Sequence, residues 1–149
     1  MAKQRSSERL QVVLKLASLK QQEAAKQLAE ATRAQQEQRQ QAEQLQSYQE
    51  EYRQQFLANT AVQSSYSLRN GQRFFDKLDE AVATQFRRSD LSEENLDHYR
   101  QEWQRAHGRE QNMSKLIDSK AQQEEKHAEA QLQKALDDLS QRKKHHFSE

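Results

Sequence analysis

Between Ser7 and Leu57 the chain contains no residue that would stop an α-helix: neither proline nor glycine occurs there. A helix of that length spans roughly 75 Å at 1.5 Å per residue, and Ser7 or Ser6 can cap its first turn. Alternating steps of four and three residues visit Leu10, Leu14, Ala17, Gln21, Ala24, Leu28, Ala31, Gln35, Gln38, Ala42, Leu45, Gln49, Tyr52 and Phe56, and ten of these fourteen are apolar. So narrow a stripe, kept over several heptads, is the seam of a coiled coil, because a helix lying on a globular core needs a wider apolar face. The seam is thinnest in its middle, at Gln35 and Gln38.

Composition agrees with this pattern. Only 33% of the 149 residues are hydrophobic, against about 45–50% apolar in ordinary soluble domains. Disorder of such chains goes with high net charge and abundant Pro, Gly and Ser, whereas this chain has a net charge of +1, two glycines and no proline. Its surplus lies in Gln, Glu, Ala, Lys, Arg and Leu, which give up little side-chain entropy in a helix. The absence of cysteine excludes disulfide scaffolds, thiolate zinc sites and thiol catalysis, and suits a reducing cytoplasm. No apolar run approaches the ~20 residues of a membrane span, and Met1-Ala2-Lys3-Gln4-Arg5 leads into no apolar signal core. The balanced charge, with no basic stripe, argues against a nucleic-acid partner.

The turn-like stretch runs from Asn59 to Gly71 and is rich in Ser and Asn, which places a reversal at about residues 58–65. The second helix starts before or after Asn70-Gly71, since propensity does not say whether Gly71 caps a helix or lies inside one. From Phe74 to about Arg142 the helical signal resumes through Phe74, Leu78, Ala81, Val82, Leu96, Tyr99, Trp103, Ala106, Met113 and Ile117. Asp90-Leu91-Ser92-Glu93 has the form of a capping box, and Gly108 is a second place where this helix could break. The stripe then passes through Ala121, Ala128, Leu132, Leu136 and Leu139, with more four-residue steps than a strict heptad allows, and such steps unwind a left-handed supercoil. The expected fold is all-α, two long helices in one antiparallel coiled-coil hairpin over 1–149: helix 1 at about 7–57, a reversal at about 58–65 that extends to 71 if Gly71 is a cap, and helix 2 to about 142. The second helix outruns the first, so its end overhangs or pairs with something else.

Few constellations carry chemistry. Glu124-x-x-His127 has the spacing of di-iron carboxylate bundles, but those need further carboxylates from facing helices, so no metal site is expected. His145-His146 follows Arg142-Lys143-Lys144 and reads as a basic tail. Phosphate loops and nucleophile elbows are missing, and two paired helices form no concave pocket that would desolvate an acid or base. The chain is expected to be no enzyme and to need no cofactor. Lys3, Arg5, Arg9, Lys15 and Lys20 oppose only Glu8 in the first twenty residues, and a hairpin would bring Arg142, Lys143 and Lys144 beside them. That end is either a solubilising tip or a cationic plug for an acidic socket, whose steering would be salt-sensitive. Aromatics gather near the reversal: Tyr48, Tyr52, Phe56, Tyr66, Phe74 and Phe75. Tyr48 groups with Leu45 rather than with Gln49, which shifts the seam. Contact surfaces are enriched in such side chains, so Tyr48, Tyr52 and Phe74 are expected to do more than pack.

The segment Leu45-Gln46-Ser47-Tyr48-Gln49-Glu50-Glu51-Tyr52-Arg53, followed by Phe74-x3-Leu78-x2-Ala81-Val82 and then Trp103, resembles the FliJ family of the bacterial flagellar export apparatus. Residues 41–103 carry the specific likeness, and the two-helix periodicity extends it over nearly the whole chain. The resemblance implies an antiparallel coiled coil similar to the central stalk of rotary ATPases. It also implies partners: a hexameric flagellar export ATPase whose pore takes the terminal end, the large transmembrane export-gate subunit, and export chaperones. By analogy the gate-binding residues fall on Gln41, Leu45, Tyr48 and Tyr52 of the first helix and on Phe74, Leu78, Ala81 and Gln85 of the second. The ATPase-facing terminal end would comprise Lys3, Arg5, Arg9, Arg142, Lys143 and Lys144. A cytoplasmic protein held peripherally at the inner membrane through that apparatus, and monomeric in solution, is the resulting expectation. Two alternatives use the same helices: the equivalent stalk of a virulence type III secretion system, and a structural or chaperone-like coiled coil.

Overall fold

The computed structural model describes residues 6–59 and 64–147. Two helices make up this part, α1 at Ser6–Ala58 and α2 at Ser65–Phe147, with no strand among the described residues. They pack against each other as a helical hairpin, the expected all-α class. The chain divides into two compact units, Met1–Gln22 with Gln104–Glu149, and Glu23–Trp103.

In the unit Glu23–Trp103 the pairing runs antiparallel: Gln38 meets Gln85, Gln49 meets Asp79 and Phe56 meets Phe75. Ala31, Ala42, Gly71, Leu78, Ser89 and Leu96 are its buried residues. In the other unit Ser7 meets Glu124, and Ile117 is buried. All fourteen positions of the α1 stripe are buried or half-buried, including the four glutamines. Gln49 therefore stays in the seam, bonded to Asp79, and Tyr48 stands outside it, half of its surface exposed. The expected shift of the seam toward Tyr48 is thus corrected: once a facing carboxylate satisfies Gln49, the 3.5-residue spacing carried by Ala42, Leu45, Tyr52 and Phe56 continues undisturbed.

The seam of α2 follows the same rule: Leu68, Gly71, Phe75, Leu78, Val82, Gln85, Ser89, Ser92, Leu96, Tyr99 and Trp103 in one unit, then Ala106, Glu110, Met113, Ile117, Lys120 and Glu124 in the other. Phe75, not Phe74, faces inward, and Ala81 and Ala121 are exposed. Beyond Glu124 every described residue of α2 is exposed.

The Oγ of Ser64 accepts the Ser67 N–H at 3.3 Å and its carbonyl accepts the Leu68 N–H at 3.0 Å, so Ser64 is the N-cap of α2. Residues 60–63 of the expected reversal lie outside the described residues. Gly71 is an interior helical residue, and α2 continues through Asp90 and Gly108 without a break. Lys144, His145 and His146 occupy its last turn, where cations complement the negative end of the helix dipole.

The start of α1 is tied down by the other helix. Glu124 accepts the Ser7 N–H at 3.1 Å and the Ser7 hydroxyl at 2.7 Å. An orphan donor of the first turn is thereby satisfied from across the seam instead of from the next turn. The Ser7 hydroxyl is the main reason why the Glu124 carboxyl titrates below its ordinary value. A carboxylate whose pKa is depressed on folding stabilises the fold above its unfolded pKa, and that contribution is lost as pH falls through the folded pKa. The first turn of α1 is accordingly expected to lose amide-exchange protection on acidification below the normal carboxylate range, and Glu124→Gln to show the same loss already at neutral pH. Equal protection in Glu124→Gln and the parent chain would show that the carboxylate holds nothing.

Candidate functional site

The aromatic side chains near the reversal come from adjacent turns of both helices. Tyr52 lies between two phenylalanines, 4.5 Å from the Phe74 ring centroid at an interplanar angle of 54° and 5.1 Å from Phe75 at 61°. Phe56 meets Phe75 edge-on at 5.3 Å and 78°. Such tilted and edge-to-face pairs add ~0.5–1.5 kcal/mol beyond the area they bury. Tyr52, Phe56 and Phe75 are half-buried and knit the helices together, whereas Phe74 presents one side to solvent. Tyr66 and Leu57 are exposed.

One helical turn and more from this cluster, a shallow groove of about 360 Å3 is lined by Gln41, Gln44, Leu45, Tyr48 and Gln85. A glutamine network forms its floor: the Gln85 amide donates to Gln38 Oε1 at 2.8 Å, to the Gln38 carbonyl at 3.3 Å and to Gln41 Oε1 at 3.4 Å. Beside it the Arg39 guanidinium lies 5.7 Å from the Phe86 ring centroid, a cation–π contact that fixes the edge of the surface.

The eight residues matched to the gate-binding pattern thus separate by position. Gln41, Tyr48, Phe74 and Ala81 are exposed; Leu45, Tyr52 and Gln85 are half-buried; Leu78 is buried in the seam. Four of them, Gln41, Leu45, Tyr48 and Gln85, line a single groove, and Tyr52 with Phe74 forms a tilted ring pair. Leu78 offers no surface and can act only by supporting its neighbours. Sequence reasoning missed Gln44 and the Arg39–Phe86 pair, and it placed Gln38 in the seam without linking it to Gln85. Gln44 follows Gln41 by three residues and so shares its face, a signal hidden in a glutamine-rich stretch.

The terminal cations are placed differently from the expectation. Arg9 is exposed on α1, and Arg142, Lys143 and Lys144 are exposed on α2. Because Glu124 faces Ser7, Arg142 lies about 27 Å further along α2 than the start of α1, at 1.5 Å per residue. The α2 cations therefore extend past Arg9, Lys15 and Lys20 instead of standing beside them. Lys3 and Arg5 lie outside the described residues. Glu124 of the Glu124-x-x-His127 pair is engaged with Ser7, and His127 shares a contact with Gln131.

A family model described as "Flagellar FliJ protein" matches residues 6–146 of the chain. A search of curated proteins and one of solved structures each return no match.

Proposed function

The chain belongs to the FliJ family of flagellar proteins, and on that premise we propose that it is the stalk of a flagellar type III export apparatus, a non-catalytic component that engages the hexameric export ATPase with its terminal region and the transmembrane export gate with its aromatic region. The observation that carries this reading is the groove of Gln41, Leu45, Tyr48 and Gln85 beside the tilted Tyr52–Phe74 ring pair: an exposed aromatic patch with polar anchors, held on two helices and not on a loop, is what a specific protein contact needs.

At the ATPase, a stalk without six-fold symmetry touches only some of six identical subunits at a time. Subunits in different nucleotide states then bind it with different affinity, and that difference biases their populations. Arg9, Arg142, Lys143 and Lys144, with Lys3 and Arg5, would supply the electrostatic part of this contact. At the gate, Tyr48 and Phe74 make direct contact, Gln41 and Gln85 fix orientation, and Leu78 supports the surface from beneath. Escort of export chaperones, and peripheral residence at the cytoplasmic face of the inner membrane through the gate, belong to the same proposal.

Adding the purified chain to the export ATPase is expected to raise ATP turnover, with co-elution that weakens as ionic strength rises. Unchanged turnover together with no co-elution would count against the proposal. Light scattering on the isolated chain is expected to give the monomer mass; a stable dimer would favour the structural coiled-coil reading instead.

A further inference from the structure

A second surface, in the unit Met1–Gln22 with Gln104–Glu149, has no place in this scheme. Residues 10–19 of α1 are apolar on nearly every side: Leu10, Leu14 and Ala17 are half-buried against α2, while Val12, Val13, Leu16 and Leu19 stand 65%, 43%, 56% and 52% exposed. A helix hydrophobic all round is normally covered all round, and here one neighbouring helix covers only part of it. Between the two helices a groove of about 450 Å3 opens over Val13, Leu16, Met113 and Leu116, and the two charged groups that line it are both cations, Lys20 and Arg109.

We propose that this groove is a docking site for an acidic amphipathic helix of a partner protein, which completes a local three-helix packing. The floor takes a stripe at i, i+3, i+4 and i+7, and the lining from Ala106 to Leu116 matches about three turns of such a helix. Charge selects the occupant: with a cation at the rim from each helix and no carboxylate in the lining, Asp or Glu flanking the incoming stripe finds partners, and Lys or Arg meets repulsion. The exposed Leu132, Leu136 and Leu139 of the same chain are no substitute, because α2 stays helical through Phe147 and carries them away from the groove. Of the cations in the proposed stalk contact, those of α2 are remote from the site, since Arg142 lies about 39 Å along α2 from Leu116 at 1.5 Å per residue, and Arg9 precedes Val13 by one turn without lining the groove.

The test uses the full chain and two fluorescein-labelled synthetic helices of about 18 residues, five turns, that share one leucine stripe and carry either glutamate or lysine on its flanks. Anisotropy is expected to show the glutamate peptide bound at least about tenfold more tightly, the preference shrinking with salt. Lys20→Glu together with Arg109→Glu should invert the preference. Leu16→Ser should abolish binding of both peptides, and circular dichroism should show full helix content in each variant. Equal affinity for the two peptides, binding of neither, or a preference that the charge reversal leaves in place would overturn the proposal. A dimer in light scattering that Leu16→Ser dissociates would also overturn it, since the occupant would then be a second copy.

Discussion

The double substitution Tyr48→Ala with Phe74→Ala is expected to weaken contact with the export gate by roughly 100-fold while leaving stimulation of the ATPase intact. Alanine truncation of a buried interface aromatic typically costs ~2 kcal/mol or more, and two such losses with incomplete additivity come to about 3 kcal/mol, or two orders of magnitude in Kd. The same change costs the fold little. Tyr48 is 50% exposed and Phe74 40% exposed, so neither sits in the seam, and the pairs that join the helices, Tyr52 with Phe75 and Phe56 with Phe75, remain. Only the Tyr52–Phe74 pair is lost, at ~0.5–1.5 kcal/mol. Leu78→Ala provides the contrast, because it removes a residue 7% exposed and should cost ~2–5 kcal/mol of stability by leaving a cavity. The measurement is gate pull-down or calorimetry beside ATPase turnover and thermal melting. Parallel loss of gate binding, ATPase stimulation and melting temperature in the double variant would mean that these rings merely hold the helices together.

The α1 seam could be read from sequence because its spacing survives polar substitution: Leu, Ala, Tyr and Phe recur on both sides of Gln35, Gln38 and Gln49 often enough to fix the phase. The α2 seam was legible only in part: Leu78, Val82, Leu96, Tyr99, Trp103, Ala106, Met113 and Ile117 of the expected stripe lie in it, and Phe74, Ala81 and Ala121 do not. Seven of its positions hold Gly71, Gln85, Ser89, Ser92, Glu110, Lys120 and Glu124, so a search for apolar residues follows Phe74, Ala81 and Ala121 off the contact face. Those polar members are tolerated because a partner satisfies them, as Gln38 does Gln85, because they are small, like Ser89, or because, like Glu124, they cap the facing helix. The aromatic surface was legible as a composition bias, and the resemblance supplied its 4-3-4 spacing. Which of its residues face outward was not legible, since Phe74 and Phe75 are adjacent and chemically identical; only the phase of the whole heptad distinguishes them. The terminal cations failed as a cluster for a similar reason: the Ser7–Glu124 register decides how far α2 extends past α1, and no local pattern encodes a register.

The two glycines of α2 give the other large effect, and its sign differs between them. Both are interior helical residues, and in an α-helix alanine is favoured over glycine by about 1 kcal/mol. Around Gly108 nothing lies within 4 Å of an added Cβ, so Gly108→Ala is expected to stabilise the chain by ~0.5–1 kcal/mol. Gly71 is buried, and a Cβ there would fall 2.9 Å from Cδ2 and Cζ of Phe56 and closer still to Cε2. Relief requires that the ring swing off α2, which breaks its edge-on contact with Phe75. Overpacking of this kind costs ~1–3 kcal/mol and the ring pair another ~0.5–1.5 kcal/mol, which together outweigh the propensity gain. Gly71→Ala is therefore expected to lower the melting temperature and Gly108→Ala to raise it. Phe56→Ala should remove the obstruction, so that in its background Gly71→Ala becomes neutral or stabilising. A Gly71→Ala chain as stable as Gly108→Ala would show that the Phe56 ring does not rest on that glycine, and with it would fall the register that places Tyr52 against Phe74.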